Sequence, residues 1–383
     1  MGHLKVGIIY NKFLDATGQE RTIGGIQTYL WHLAALINEL GAEPLIFQCA
    51  SVPFERKIGP LVVVGVATAN TVWSNFRRDL YNAAVSRIEY GKDILIFGAY
   101  HDSVPTRNPK CISIQHGLSW DAPARFFLRR IPLWVPFPMN WRKRWVAYRA
   151  KRYFENCPNR VCADYNFLNW YRTQIPDKPS GNVWVIPNFV EIPEDLEPEL
   201  PRPWKTPVRI ICARRFIELR GSRLMEIVGE NLLARHANID LTFAGDGPDL
   251  NRLRSRFESD PRVRFIKYMA QESVAVHLQY DIAVIPSIAF EAITLSATEA
   301  MAAGCAVVAT NVGGLTNAII DGYNGRLVEP EAECLTEALS GLVEDDEQRL
   351  RLGLRARETA KFGFNLERWK KSWTKVLRTV ERI

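Results

Sequence analysis

Short β-branched runs alternate along the chain with longer stretches whose apolar positions recur every three or four residues, the pattern of βαβ units around a parallel sheet. VGIIY (6–10) predicts a first buried strand, and further strands are expected at PLIFQ, DILIFG and CISIQ. Between the first two, IGGIQTYLWHLAALINELG places Ile26, Leu30, Leu33, Ile37 and Leu40 on one helical face, with Gly41 where a helix stops. From Asn188 to Val208 the periodicity lapses, and Pro193, Pro198, Pro201, Pro203 and Pro207 stand among acidic residues, as in an extended linker. A second series follows: VRIICA, IDLTFAG, VRFIKY, DIAVIPS, CAVVAT and GRLVEP, with amphipathic stretches between them. The last segment carries Leu366, Trp369, Trp373, Val376 and Val380 on one face, a stripe that has to be buried somewhere. The expected organisation is two α/β halves, residues 1–190 and 208–364, joined by a linker over 191–207. The helix at 365–383 is expected to return to the first half.

Composition narrows the class. With 47% hydrophobic and 24% charged residues over 383 positions, this is an ordinary globular chain, which excludes collagen-like, coiled-coil and disordered readings. The seven cysteines are scattered without a CxxC pair, so reduced thiols are expected rather than a disulfide framework or a zinc site. No apolar segment precedes KVGIIY and no run of 18 apolar residues occurs, so neither secretion nor a membrane-spanning helix is expected.

The stretch FEAITLSATEAMAAG (290–304) holds Glu291 and Glu299 among apolar and small residues. DIAVIPS should end near Ser287 and a helix should start at Thr294 or Leu295 and stop at Gly304, which puts Glu291 in a loop and Glu299 in the helix. Ligands of open α/β sheets bind outside the carboxyl ends of the strands, the edge where this loop lies. Eight helical steps would span about 12 Å, more than the 5–9 Å or so between a glycosidase's paired carboxylates. The spacing suits two acceptors for the two ends of a hydroxyl-rich ligand, and equally a loop charge beside a helix-surface residue.

The E-x7-E pattern, the following EAMAAGCAVVATNVGG, the preceding AGDGPDLNRL and DIAVIPS strongly resemble the retaining GT-B glycosyltransferases of the family 4 type. The resemblance is specific over residues 205–330 and looser over the first half. It implies a GT-B fold, two facing Rossmann-like domains with a cleft between them, and a nucleotide-diphosphate sugar bound mainly by the second. Donor contacts are implied for Glu291, Ala292, Ile293, Thr294 and Leu295, with Glu291 accepting from sugar hydroxyls and Glu299 from the ribose. The diphosphate partners are implied within ARRFIELRG as Arg215 and Arg220, Arg214 competing for the first place. Arg220 stands where the family has Lys, exchanging a point charge for a planar fork. Gly24 and Gly25, opening a helix, match a loop that touches donor phosphate and acceptor, and His116 in ISIQHG matches the family's active-site histidine, with His101 as its rival. Retention by front-face displacement follows from the same likeness. Thr294 departs from the usual glycine, adding bulk and stiffness where the donor backbone contact falls.

No DxD pair and no metal-spaced His or Cys cluster stands out, so no metal and no cofactor beyond the nucleotide-sugar substrate is expected. The net charge of +7 is concentrated: no acidic residue occurs between Asp121 and Glu155, while Arg129, Arg130, Arg142, Lys143 and Arg144 gather with Trp141 and Trp145. Aromatic and basic residues so mixed fit a segment lying in an anionic membrane interface. A solvated face over buried aromatics, or a stacking surface for single-stranded nucleic acid, fits the same composition; no nucleic-acid partner is expected. The expectation is a peripheral enzyme on the cytoplasmic face of the cell membrane, transferring sugar to a glycan or polyprenyl-linked glycan in cell-surface polysaccharide assembly. A nucleotide-sugar 2-epimerase and a silent glycan- or lipid-binding relative share the same architecture.

Overall fold

The computed structural model describes residues 4–22, 24–68, 75–117, 139–192, 207–289 and 291–382, without the side chains of residues 139, 140 and 142. Arg129 and Arg130, the side chain of Arg142 and most of the Pro-rich linker lie outside them. The chain divides into two compact units.

The first unit takes in residues 1–116, 143–187 and 369–383. Its strands are β1 (Lys5–Ile9), β2 (Glu43–Ala50), β3 (Phe54–Ile58), β4 (Leu61–Ala67), β5 (Ile94–Phe97), β6 (Cys111–Gln115), β7 (Asn159–Cys162) and β8 (Asn182–Val185). They lie in the order β3-β4-β2-β1-β5-β6-β7-β8, parallel except for the β3–β4 hairpin. The helices are α1 (Gly25–Glu39), α2 (Phe76–Val85), α3 (Met139–Phe154) and α4 (Tyr165–Thr173), with most of α11 (Leu366–Glu381). The four strands expected here form at the expected places; β3, β4, β7 and β8 are additional. β3 has a polar, exposed centre (Glu55, Arg56, Lys57), as an outer strand requires, and so carries no apolar alternation to betray it.

In α1 the predicted face is buried through Leu30, Leu33 and Ile37, and Gly41 has the left-handed φ of 81° that stops a helix. The stripe on α11 is buried at Trp369, Trp373, Val376, Leu377 and Val380. Trp373 Nε1 donates to Tyr29 Oη of α1 at 2.7 Å, Tyr29 meets the Trp369 ring edge-on at 5.1 Å, and Lys110 Nζ donates to Glu381 O at 2.7 Å. One cysteine expectation is corrected: Cys111 and Cys157 are paired as a disulfide, their Cα atoms 5.4 Å apart. They stand 46 positions apart in sequence, so only the return of the chain after α3 to a place beside β6 brings them together. The other five cysteines are not in disulfides.

The second unit, residues 117–142 and 188–368, carries β9 (Val208–Ala213), β10 (Ile239–Ala244), β11 (Val263–Ile266), β12 (Ile282–Ile285), β13 (Ala306–Thr310) and β14 (Arg326–Val328). All are parallel, in the order β11-β10-β9-β12-β13-β14. These are the six strands expected from the sequence. Its helices are α5 (Ser222–Arg235), α6 (Leu250–Phe257), α7 (Ser273–His277), α8 (Leu295–Ala302), α9 (Ala332–Glu344) and α10 (Asp346–Gly363). One face of the sheet packs against α5, α6 and α9 through Met225, Val228, Leu253 and Leu339, and the other against α8 and α10 through Ala297, Met301, Ala356 and Ala360. Both faces being covered explains why the strands read as unbroken apolar runs. Residues 188–190 are held to this unit by Asn188 Nδ2→Ile293 O (2.5 Å), Thr298 Oγ1→Phe189 O (3.2 Å) and Val190 N→Phe364 O (2.7 Å).

Trp373 is fully buried, so Trp373→Ala should cost the first unit about 3–5 kcal/mol. Tyr29→Phe, which leaves the indole N–H unpaired, should cost about 1–3 kcal/mol. Urea denaturation read out on the first unit measures both.

Candidate active site

The carboxyl edge of the second sheet gathers the charged residues that the strands themselves lack. β12 stops at Ile285, Pro286 and Ser287 follow, and Glu291 lies in the loop before α8, buried at 3% exposure. Its Oε1 accepts from Arg214 Nη2 at 2.5 Å and from Ser287 Oγ, and pairs with Arg220 Nη1. Arg214 follows directly on β9, the strand beside β12, so sheet order alone brings it to Glu291. Its side chain is 5% exposed and its Nη1 is buried without a hydrogen-bond partner among the described residues. Burial pulls the Arg214 pKa down, against which the Glu291 carboxylate acts. Arg220 is more open, at 29%. Gly221, with φ of 82°, lies so close to β12 that a Cβ there would collide with Pro286 O, so the Arg-Gly pair is what lets the chain turn into α5 beside the site.

The loop holding Glu291 is fixed from behind. Gly314 N donates to Glu291 O at 3.0 Å, and Asn188 holds Ile293 O. Any side chain at Gly313, whose φ is 49°, would strike Glu291 O. Thr294 caps α8, its Oγ1 accepting from Ala297 N at 3.1 Å. Its extended backbone (φ −82°, ψ 144°) suits a β-branched residue, and the third amide of the helix takes the cap, leaving those of Leu295 and Ser296 for an anion. Capping thus accounts for the threonine in place of the usual glycine. Glu299, in mid-helix and partly buried, accepts from Ser273 Oγ at 2.6 Å. Burial pushes its carboxyl up to about 7, with the Ser273 bond opposing.

Of the sequence-predicted residues, Glu291 and Arg220 are brought together, with Ala292, Ile293, Thr294 and Leu295 in the loop and helix start between Glu291 and Glu299. Arg215 is not among the residues at Glu291: its side chain is exposed and lies near Asp246, whose pKa it helps to lower. Arg214, the competing assignment, takes that place, because alternate residues leaving a strand point to opposite sides. Ser287 was missed, since a serine ending a strand carries no signal by itself.

In the first unit, His116 follows β6 and its Nε2 contacts Gly98 O at 2.9 Å, which makes Nε2 the protonated nitrogen. Burial lowers its pKa to about 4, so the ring is neutral at physiological pH. His101, half exposed, stands 3.8 Å from the buried Asp102. Gly24 precedes α1 with extended backbone (φ 176°) and only the flexible Gln27 side chain nearby, so conformation does not demand glycine there; Gly25 is the first residue of the helix. On α3, Trp141, Arg144, Trp145 and Tyr148 are exposed along one face, Lys143 is partly buried, and Arg149 stacks on Trp145 at 4.5 Å. Among the described residues, no three His, Cys, Asp or Glu side chains gather as a metal-binding group, and no helix is long and apolar enough to cross a membrane.

Residues 199–359 match the family described as Glycosyl transferases group 1. Over 375 aligned residues the chain is 30% identical to D-inositol 3-phosphate glycosyltransferase of Corynebacterium urealyticum, covering 85% of this chain and 84% of that one. The chain belongs to the group 1 glycosyl transferases. A shorter match, 28% identical over 167 residues, is to the phosphatidylinositol N-acetylglucosaminyltransferase gpi3 subunit of Schizosaccharomyces pombe; it covers 43% of this chain and only 36% of that protein. The fold is that of GT-B structures. Sucrose-phosphate synthase from Thermosynechococcus elongatus superposes with a TM-score of 0.74 at 17% identity, covering 99% of both chains. Anabaena HepE in complex with UDP-glucose does so with 0.69 at 15% identity, covering 98% of this chain and 100% of that one. The group 1 region thus contains the Glu291 cluster, Thr294 and Glu299.

Removing one partner of a buried ion pair strands the other. Glu291→Ala, which leaves Arg214 facing Arg220 without their shared carboxylate, is expected to destabilise the second unit by about 3–5 kcal/mol, measurable by urea denaturation. His277, fully buried with its pKa lowered to about 4 by desolvation, gives a pH signature. The unfolded chain takes up this proton near pH 6.5 and the folded one does not, so stability falls as pH drops from 6.5 towards 4, by about 3 kcal/mol from this group. Equilibrium unfolding at pH 7 and 4.5 should show a smaller difference in His277→Gln than in the parent.

Proposed function

We propose that this protein is a retaining glycosyltransferase that moves a sugar from a nucleotide-diphosphate sugar to a glycan or lipid-linked glycan. The observation that carries the reading is the arrangement around Glu291: a buried carboxylate with two guanidinium groups, beside a capped helix start with two amides to spare. Glu291 would accept from donor-sugar hydroxyls and Glu299 from the ribose, while Arg214, Arg220 and the amides of Leu295 and Ser296 hold the diphosphate. As the sugar–phosphate bond breaks, negative charge grows on the leaving oxygen, where preorganised donors stabilise the transition state most. The acceptor oxygen bonds to the anomeric carbon on the same face, and its proton passes to the leaving phosphate, so configuration is retained. Two guanidinium groups already supply the positive charge, which favours metal-independent transfer. His116, neutral and with its protonated Nε2 taken by Gly98 O, would offer Nδ1 as a hydrogen-bond acceptor for a sugar hydroxyl.

The names of the relatives join glycosyl transfer to inositol phosphate or phosphatidylinositol, and HepE holds UDP-glucose, which supports a nucleotide-sugar donor and a phosphorylated or lipid-borne acceptor. The exposed Trp141, Trp145 and Tyr148 with Arg144 support a peripheral seat on an anionic membrane, where aromatic rings settle at headgroup level and arginines meet lipid phosphate. We place the enzyme on the cytoplasmic face of the cell membrane, in the assembly of a cell-surface polysaccharide or glycoconjugate.

A metal-free thermal-shift panel of UDP, GDP, ADP, CDP and TDP and their sugar conjugates tests the donor site. One nucleotide at 100 times its dissociation constant should add about 2.7 kcal/mol, raising the midpoint by roughly 5–10 °C, and Glu299→Ala should weaken the shift. Turnover should survive EDTA, and NMR of the product should show the donor's anomeric configuration; inversion, or a loss restored by magnesium, would overturn those parts of the reading. Co-sedimentation with phosphatidylserine-containing liposomes should fall when Trp145→Ala and Arg144→Ala are combined. Binding that does not fall would remove the membrane seat.

A further inference from the structure

Ser273 opens α7 and is 2% exposed, and its Oγ stands 2.6 Å from Glu299 Oε2. Two other groups stand beside that hydroxyl: the Tyr268 phenol, which being neutral can give its own hydrogen to Ser273 Oγ, and His277 Nδ1, at 3.5 Å. His277 Nδ1 lies 2.7 Å from Ser273 O. A carbonyl oxygen only accepts, so Nδ1 carries the ring proton and cannot take another. The hydroxyl hydrogen of Ser273 therefore goes to Glu299. His277 in turn fixes the start of the helix, and Cys305 Sγ donates to His277 O at 3.2 Å, tying α7 to the turn after α8.

Among the described residues, the surroundings of Glu299 supply no other compensation for its charge. Tyr268, just beyond β11, is a neutral phenol whose pKa is raised by burial and further by the Glu299 charge. His277 is uncharged, with its pKa lowered by burial. Arg357 of α10 spends Nη1 on Ala302 O, at the far end of α8, at 2.5 Å. A partly buried carboxylate with one donor and no facing cation depends on that donor to stay ionised.

We propose that Ser273 is a positioning residue that holds Glu299 as an ionised acceptor for the ribose hydroxyls of the nucleotide donor. The inference rests on the donor reading above and adds the residue on which it depends. An ionised Glu299 accepts from two neighbouring hydroxyls; a protonated one gives up that capacity. Burial raises the carboxyl to about 7 even with the Ser273 bond present, so ribose-dependent affinity should rise with pH through that region.

The test is isothermal titration of the full chain with UDP, GDP and ADP between pH 6 and 9, carrying the tightest forward beside its 2′,3′-dideoxy analogue. The analogue removes the contribution of the phosphate's own titration. In the parent, the ratio of ribo- to dideoxy-nucleotide affinity should climb through about pH 7. In Ser273→Ala that step should move up by about one pH unit, with a roughly tenfold loss of ribonucleotide affinity at pH 7 that shrinks at pH 9. Ser273→Thr should restore the parent profile. Glu299→Gln, which cannot ionise, should show no ribose-dependent step. A step that persists in Glu299→Gln, an unshifted midpoint in Ser273→Ala, or an equal loss for ribo- and dideoxy-nucleotides would each overturn the proposal. If no nucleotide binds the parent chain, the donor reading itself fails and takes this inference with it.

Discussion

The carboxylate of Glu291 can stay buried and charged only because Arg214, Arg220 and Ser287 all converge on its Oε1. A buried charge without such partners costs several kcal/mol, so the positions of these four residues cannot be chosen independently. β9 must neighbour β12, so that the residue leaving one meets the loop leaving the other. Gly221 must allow the backbone to pass Pro286, and Gly313 must allow it to pass Glu291 O. Much of the second unit's carboxyl edge follows from these requirements.

The same requirements shape the chemistry. A carboxylate that holds two guanidinium groups in place before any ligand arrives keeps cationic donors ordered, so less reorganisation is left for the moment of reaction. On the proposed donor reading, a diphosphate entering beside the partly exposed Arg220 would compete with Glu291 for it, while the buried Arg214 would stay paired with Glu291. The capped start of α8 adds amide dipoles fixed by the helix itself. Glu299, one helical turn further on, lives under different terms: a single hydroxyl stands where Glu291 has two cations. Two glutamates eight residues apart are thereby given different partners by the elements around them.

The first unit is organised by its aromatic contacts. Tyr29 of α1 touches His116 edge-on at 4.9 Å on one side and the two tryptophans of α11 on the other. The helix that closes the chain is thus packed one residue away from the histidine that follows β6. The apolar stripe on α11 is large enough, and its partner tyrosine sufficiently buried, that this packing does not depend on the exposed ion pair between Lys370 and Glu39.

The sequence by itself determined the strand-helix alternation, all six strands of the second sheet, the start of α8 within a residue, and the stripe of α11, because local periodicity and stop signals write these directly. It also marked Glu291 and Glu299, whose charges stand out against small apolar neighbours, and Arg220 by the family likeness alone. The tertiary structure decided what depends on strand order and direction: that Arg214 rather than Arg215 faces Glu291, that Ser287 and Ser273 are the hydroxyls behind the two glutamates, that the polar strand β3 closes one sheet edge, and that Cys111 meets Cys157. Each of these joins residues that share no local pattern. Their distances are set by which elements lie side by side, and the burial that gives their charges and hydroxyls their energies exists only once the sheets have assembled.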